Sequence, residues 1–173
     1  MLGIETGGSH TSVMLADGEG RALATFALGP ANLRLISELE LKALLLGIQS
    51  QTGTVDAIGA GVAGLRNERD RARFLRVARQ VWAHTPIVVS HDLEPAIMSA
   101  GPLPDPVKAR VLLLSGTGSC AWGRRRDGRS VRFGGRGHLL GDQGSACDIA
   151  LAALRRIVYQ HDVMGKFPRL GEA

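Results

Sequence analysis

One pattern occurs in both halves of the chain: an apolar segment, a loop of Gly, Ser and Thr, and a second apolar segment. The first copy is "MLGIETGGSHTSVMLADGEG" and the second is "VLLLSGTGSCAWGRRRDGRS". When they are aligned, Gly8 coincides with Gly118 and Asp17 with Asp127. The chain therefore has to fold around two similar β-hairpins, each closed by a glycine-containing loop.

Loops of this composition have two uses. Glycine can simply supply the positive φ of a tight hairpin. Alternatively, backbone N–H groups freed of side chains can reach an anion, and Ser or Thr hydroxyls add donors. Two matching loops favour phosphate binding. The chain has no G-x-x-x-x-G-K-[ST] motif, and "GTGSCA" lacks the third glycine of a dinucleotide fingerprint.

The periodicity of apolar residues predicts an α/β chain with the order βββαβα, a further strand at "PIVVS", and a new βββα after the proline-rich "GPLPDP". We expect residues 1–105 to form a complete lobe and residues 106–173 to begin a second. The predicted strands are 2–5, 11–16, 22–28, 55–61, 110–115, 119–124 and 130–133, and the helices are 33–51, 67–82 and 145–159.

The charge of the chain suggests nucleic acid at first sight, since the net charge is +5 and the pI is about 10. However, the arginine-rich "RNERDRARFLRVARQ" interleaves acidic residues and has apolar residues at helical spacing, which is typical of a solvated amphipathic helix. Aromatic residues make up only 4% of the chain, which leaves few for base stacking. We expect no nucleic-acid partner.

Membrane association is not expected either. No apolar run approaches the ~18–20 residues of a membrane span, and the N-terminus does not have the pattern of a signal peptide. Cys120 and Cys147 are too far apart for a C-x-x-C motif. These features predict a cytoplasmic location.

Five segments together resemble a known family: "GIETGGSHTSVML", "GPAN", "SHD", "LLLSGTGSC" and "GGRGHLLGDQGSA". In order and rough spacing they are similar to the N-acetylglucosamine kinases of the BadF/BadG/BcrA/BcrD ATPase family. The resemblance implies a ribonuclease H-like, actin-type ATPase fold, ATP and Mg²⁺ as cofactors, and phosphorylation of an amino sugar at its 6-hydroxyl. Because proteins of this family are close to twice as long, we expect this chain to be a piece of a kinase that is a homodimer at full length.

Asp92 follows an apolar strand, and ligands gather at the carboxyl ends of strands in open α/β sheets. It could equally be the N-cap of a helix starting at "LEPAIMSA". The resemblance assigns it the role of general base for the sugar hydroxyl. Glu5 matches the position of an acid that orients magnesium through water, a mode that suits a strongly hydrated ion.

The resemblance also assigns two sets of binding residues. The ATP phosphates are expected to contact Gly7, Gly8, Ser9, Thr11, Gly116, Thr117 and Gly118. The sugar is expected to contact Asn32, Asp92, Ser119, Cys120, Gly135, Arg136, Gly137, His138, Leu139 and Asp142. For Asn32 a turn role is the alternative, and for Asp142 a helix cap beside Ser145.

The chain departs from the family at two positions. Arg136 stands where an aromatic residue is usual, and Gln143 replaces a Glu. Arginine offers charge and a fork of donors, which would suit an acidic sugar such as N-acetylmuramate. Other functions of the fold are an activator of 2-hydroxyacyl-CoA dehydratases or benzoyl-CoA reductases, which requires thiolate ligands for an iron–sulfur cluster, and a non-catalytic sugar-sensing module. The cysteines do not match the activators, and both loops are retained.

Overall fold

The computed structural model describes residues 1–171, which fall into two compact units, here called unit 1 (residues 1–101) and unit 2 (from residue 102). The order of elements confirms the predicted α/β class. Unit 1 contains β1 (Leu2–Thr6), β2 (Thr11–Ala16), β3 (Ala22–Leu28), α1 (Glu38–Thr52), β4 (Ile58–Val62), α2 (Glu68–Val81), β5 (Ile87–His91) and α3 (Leu93–Met98). Unit 2 contains β6 (Ala109–Ser115), β7 (Ser119–Arg125), β8 (Ser130–Gly134), α4 (Ala146–Met164) and a short 3₁₀ turn (Arg169–Gly171).

The sheet of unit 1 has five strands in the order β3-β2-β1-β4-β5. The hairpin strands β1 and β2 are antiparallel, whereas β4 runs parallel to both β1 and β5. In this register Glu5 lies opposite Gly61, and Gly61 lies opposite Ser90. The carboxyl ends of β1, β4 and β5 therefore meet at one edge of the sheet.

The core of unit 1 lies on one face of this sheet. Alternation places Leu2 and Ile4 of β1 on the covered face, where they join the buried residues of α1 and α2 in one apolar cluster. The other face carries Gly3, Glu5 and Met14 and forms part of an open groove of about 680 Å³.

Capping residues decide where the helices begin. Ser37 and Glu40 form a capping box at the start of α1, so this helix begins later than the predicted residue 33. The residues before it form a turn in which the Asn32 carbonyl accepts from the amides of Leu35 and Ile36. The predicted N-cap Asn67 is confirmed, since its side chain accepts from the Asp70 amide.

Unit 2 is a three-stranded antiparallel sheet, β6-β7-β8, followed by α4. The predicted helix is confirmed with a longer extent, and Ser145 caps it by accepting from the Asp148 amide. Few side chains of this unit are deeply buried, among them Trp122, Ser145 and Ile157.

The two hairpins are both present, but their register differs from the sequence alignment. The Gly7 amide donates to the His10 carbonyl, and the Gly116 amide donates to the Gly118 carbonyl. The first loop therefore has one residue more than the second. Gly116 occupies the position of Gly7, so the coincidence of Gly8 with Gly118 is not a structural correspondence.

Three arginines of α2 form hydrogen bonds or ion pairs within unit 1. Arg73 donates to the carbonyls of Leu33 and Ile36, and so holds the turn before α1. Arg71 and Arg76 form ion pairs with Glu68 and Glu38. Within residues 1–171, no helix combines the length and the apolar character needed to cross a membrane.

Candidate functional site

Asp92 stands where β5 ends and α3 begins. It occupies the N-cap position of α3 with helical backbone angles, φ −54° and ψ −28°, and its side chain makes no capping hydrogen bond. The alternative role as a helix cap is therefore not what the carboxylate does. Among residues 1–171 the side chain of Asp92 has no hydrogen bond or ion pair, so its oxygens are available to a ligand.

Glu5 lies on β1 with its side chain on the open face of the sheet, beside the groove that Ser90 and Pro95 also line. One strand separates β1 from β5, so at a strand spacing of about 4.8 Å the backbones of Glu5 and Ser90 are roughly 10 Å apart. In the described part of the chain, no group of three or more His, Cys, Asp or Glu side chains is placed to hold a metal ion. A single exposed carboxylate fits Mg²⁺ bound through its own water shell.

In the first loop, two donors of the residues predicted to contact phosphate form hydrogen bonds within the chain. The Gly7 N–H closes the hairpin, so that group cannot serve a phosphate. Thr11 is fully buried, and its hydroxyl donates to the Gly29 carbonyl at 2.9 Å. The only donor of the Thr11 side chain is therefore used within the chain, and Thr11 as a phosphate contact stays a prediction. Gly8 and Ser9 form the exposed tip of the loop.

Asn32 is held next to the first loop by its neighbours. The Ala31 amide donates to the Gly7 carbonyl, and the Leu33 amide donates to the Ala63 carbonyl. The Asn32 side-chain oxygen accepts from the Arg34 amide at 2.9 Å, which is the turn role considered as an alternative. Its amide nitrogen has no hydrogen-bond partner among residues 1–171 and can donate to a ligand.

In the second loop, the Gly116 N–H closes the hairpin by donating to the Gly118 carbonyl, and Gly116 as a phosphate contact stays a prediction. Gly118 is needed for a different reason: a Cβ there would lie 2.8 Å from an oxygen of the Asp142 carboxylate. Thr117 is the exposed tip residue.

Asp142 has a left-handed backbone, φ 59°, which is uncommon for a residue with a side chain. One carboxylate oxygen is buried without a hydrogen-bond partner among the described residues. The cap of α4 is Ser145, supported by Asp148, so the alternative capping role of Asp142 is wrong. A buried, unsatisfied carboxylate oxygen is costly unless a ligand pairs with it.

The segment around Asp142 is tied to the second hairpin. The Ser119 hydroxyl donates to the Gln143 carbonyl at 2.7 Å, and the Ser115 hydroxyl donates to the Gly144 carbonyl at 2.8 Å. The bond to Gln143 uses the only donor of the Ser119 side chain, although the hydroxyl oxygen can still accept a hydrogen bond. Cys120 is half-buried opposite Gly134 on the neighbouring strand.

The remaining predicted sugar residues form a glycine-rich loop after β8. Gly135 and Gly137 have positive φ, and the Arg132 guanidinium lies against Gly135, where a Cβ would be 2.1 Å from it. Arg136 is exposed, with its backbone packed on Gly141. His138 and Leu139 are exposed as well.

Three residues with local roles at the site were not predicted. Thr6 is buried, and its hydroxyl oxygen accepts from the Ala63 amide at 3.0 Å. Gly64 has φ +80° and leaves room for the Asn32 side chain, whose oxygen would be 2.2 Å from a Cβ. Gly61 lies against α3. For Gly61 and Gly64 the signal in the sequence was the glycine-rich run "GAGVAG" at the end of the predicted strand.

Comparison with known proteins gives a consistent result. The BadF/BadG/BcrA/BcrD ATPase family matches residues 2–166. A Clostridium acetobutylicum protein named N-acetylmuramic acid/N-acetylglucosamine kinase is 31% identical over 174 residues, which cover 96% of this chain and 56% of the relative. An N-acetyl-D-glucosamine kinase of Dictyostelium discoideum is 27% identical over 179 residues, covering 95% and 56%.

Solved structures share the fold. A Porphyromonas gingivalis protein described as a candidate N-acetylglucosamine kinase superposes with a TM-score of 0.74 at 20% identity, over 98% of this chain and 58% of that one. A ROK family glucokinase from Streptomyces griseus, solved with glucose and AMPPNP, gives a TM-score of 0.61 at 20% identity, over 94% and 62%. The chain thus spans about 56% of the length of the curated relatives it matches.

Proposed function

The chain belongs to the BadF/BadG/BcrA/BcrD ATPase family, and from this premise we propose that it carries the sugar-binding and catalytic residues of an ATP-dependent amino-sugar kinase. The resemblance seen in its motifs is confirmed by the family match, and the actin-like fold by the solved structures. In this proposal the kinase transfers phosphate from ATP to the 6-hydroxyl of an amino sugar. It acts in the cytoplasm and is a homodimer at full length.

The observation that carries the proposal is the unused carboxylate of Asp92. It stands at the carboxyl end of β5, where open α/β sheets bind ligands, and the fold does not employ it as a cap. A carboxylate within reach of a sugar hydroxyl can accept the proton as that oxygen attacks phosphorus.

Other residues are suited to the metal ion and to the phosphates. Bound ATP and Mg²⁺ supply the γ-phosphoryl group and neutralise its charge. Glu5 would hold the metal through water, and the loop tips Gly8–Ser9 and Thr117–Gly118 would offer donors to the phosphates. We assign the phosphates to the two loop tips because the N–H groups of the neighbouring Gly7 and Gly116 already close the hairpins.

Two groups are suited to the sugar. The Asn32 amide nitrogen can donate to a hydroxyl or acyl oxygen, and the buried Asp142 oxygen can accept from a hydroxyl. The exposed Arg136 would pair with the carboxylate of an N-acetylmuramate-type sugar, a substrate named for the Clostridium acetobutylicum relative. Replacing Arg136 by Trp should then lower turnover of N-acetylmuramate relative to N-acetylglucosamine.

The test is ADP formation by this chain with ATP, Mg²⁺ and a panel of N-acetylglucosamine, glucosamine, N-acetylmuramate and glucose. Sugar binding is measured in parallel by calorimetry. Asp92→Asn should lower turnover by about two or more powers of ten, in line with a lost general base, and should leave sugar affinity within about twofold. Asp56→Asn, an exposed aspartate before β4, is the matched control and should not change turnover.

Each outcome has a definite meaning. Full turnover of Asp92→Asn would remove this residue from catalysis. Sugar binding without sugar-dependent ADP formation would contradict the kinase for this chain and favour the sugar-sensing module. Binding of no sugar in the panel would contradict both.

A further inference from the structure

Gly61 is a buried residue of β4, the strand between β1 and β5. Its α-carbon faces α3 on the same side of the sheet as Glu5, its partner in the register. A Cβ at this position would lie 2.6 Å from Cγ and 3.2 Å from Cδ of Pro95, and 3.6 Å from the α-carbon of Asp92. The first distance is too short for any packed structure.

Pro95 cannot turn away from such a methyl group. Its ring is closed on the backbone and fixes φ, and it lies in the first turn of α3, three residues after Asp92. β4 cannot yield either, because it is hydrogen-bonded to a strand on both sides. Any added side chain would therefore displace α3, together with the connection that holds Asp92.

We propose that Gly61 is a positioning residue for Asp92: its missing side chain lets α3 seat directly on β4, and this seating fixes where the Asp92 carboxylate stands relative to Glu5. The inference rests on the proposed function, in which Asp92 is the base. It predicts that a side chain added at Gly61 lowers turnover while the chain stays folded, because the change moves the base without unfolding the protein. A displacement of about 1 Å can cost about 10²-fold in rate.

The chain offers a matched control. Gly59 lies on the same strand and the same face, two residues earlier, and a Cβ there would meet no atom within 4 Å. Gly59→Ala and Gly61→Ala therefore make the same chemical change in the same strand, and only the second meets α3.

The experiment uses the whole chain and two readouts. The amide ¹H–¹⁵N signals of Asp92 and Leu93 report position without any need for activity, and sugar-dependent ADP formation reports catalysis. Gly61→Ala should shift these signals and lower kcat about 10- to 100-fold, with KM for the sugar within about twofold. Adding Pro95→Ala removes the ring and should restore both, whereas Gly59→Ala should change neither.

Unshifted signals in Gly61→Ala would overturn the proposal, and so would shifted signals with an unchanged kcat or a double variant that is not rescued. If Gly61→Ala alone does not fold, the double variant carries the test, and its failure to fold would count against the proposal. If the unmodified chain forms no ADP with any sugar, the proposed function fails, while the spectra still decide whether Gly61 sets the position of Asp92.

Discussion

Units 1 and 2 begin with the same three-stranded arrangement, yet they bury very different amounts of apolar surface. In unit 1, Leu2 and Ile4 of β1 are 2% and 3% exposed beneath α1 and α2. The hairpin closures place Val111 and Leu113 of β6 at the corresponding positions, and these are 66% and 79% exposed. Alternating apolar residues thus form a strand in both units, but they contribute to a core only where helices cover them.

The edges of the first strands differ in the same way. β1 is paired on both sides, by β2 and β4, whereas β6 is paired only by β7 in the described part of the chain. Antiparallel pairing alternates, and the Gly116 bond directs the even-numbered residues of β6 to β7. The amides of Val111 and Leu113 therefore point to an open edge. We therefore expect unit 1 to contribute most of the stability.

A pair of phenylalanines gives the largest expected difference. Phe74 in α2 is 1% exposed and Phe133 in β8 is 67% exposed. Phe74→Ala should lower the free energy of unfolding by about 3–5 kcal/mol through lost burial and a cavity, and Phe133→Ala by less than about 0.5 kcal/mol. Urea unfolding followed by circular dichroism measures both. Equal losses would show that Phe133 is covered in solution.

Hydrogen exchange sharpens the comparison at the level of single strands. Amides of Leu2 and Ile4 should exchange only on global unfolding, whereas those of Val111 and Leu113, which point to the open edge of β6, should exchange without any opening, at least about a hundredfold faster. The measurement is exchange in D₂O followed by NMR at neutral pH. Similar protection at both sites would mean that β6 is covered along its open edge.

The helix caps should give a smaller effect. Ser145 is fully buried at the start of α4, while Ser37 is exposed at the start of α1. Ser145→Ala should cost about 1–2 kcal/mol of unfolding free energy and Ser37→Ala about 0.5–1 kcal/mol. Thermal denaturation decides the order, and Ser50→Ala in the exposed face of α1 serves as the control. A larger loss at Ser37 would contradict the role of burial.

The smallest expected effect is a pH dependence in unit 1. The Ser37 hydroxyl and the Ser37 amide both donate to the Glu40 carboxylate. The hydroxyl has the larger effect, and together they hold the pKa of this carboxyl below its ordinary value of 4.5. The stabilisation is therefore fully present above pH 4.5 and is lost as the pH falls through the lowered pKa. Unfolding of Glu40→Gln should show a weaker dependence on pH in this range. An unchanged pH profile would mean that the capping box adds nothing measurable.

Local features could be predicted because neighbouring residues decide them. Asn67 and Ser145 cap helices, as their positions before helical patterns indicated, and Thr11–Ala16 and Ala22–Leu28 are strands with the predicted bounds. The start of α1 was predicted too early, because Leu33 and Leu35 continue the apolar pattern while the capping box excludes them from the helix.

The sequence by itself determined the two hairpins, the order of strands and helices, and the position of Asp92 at the end of a strand, since these depend on periodicity and on residues close together in the chain. Only the tertiary structure decided which groups at the candidate site are available. Thr11 gives its hydroxyl to Gly29, Gly118 makes room for Asp142, and Gly61 makes room for α3. These contacts join residues 18 to 34 positions apart, and their donors, close approaches and burial follow from packing that no local pattern records.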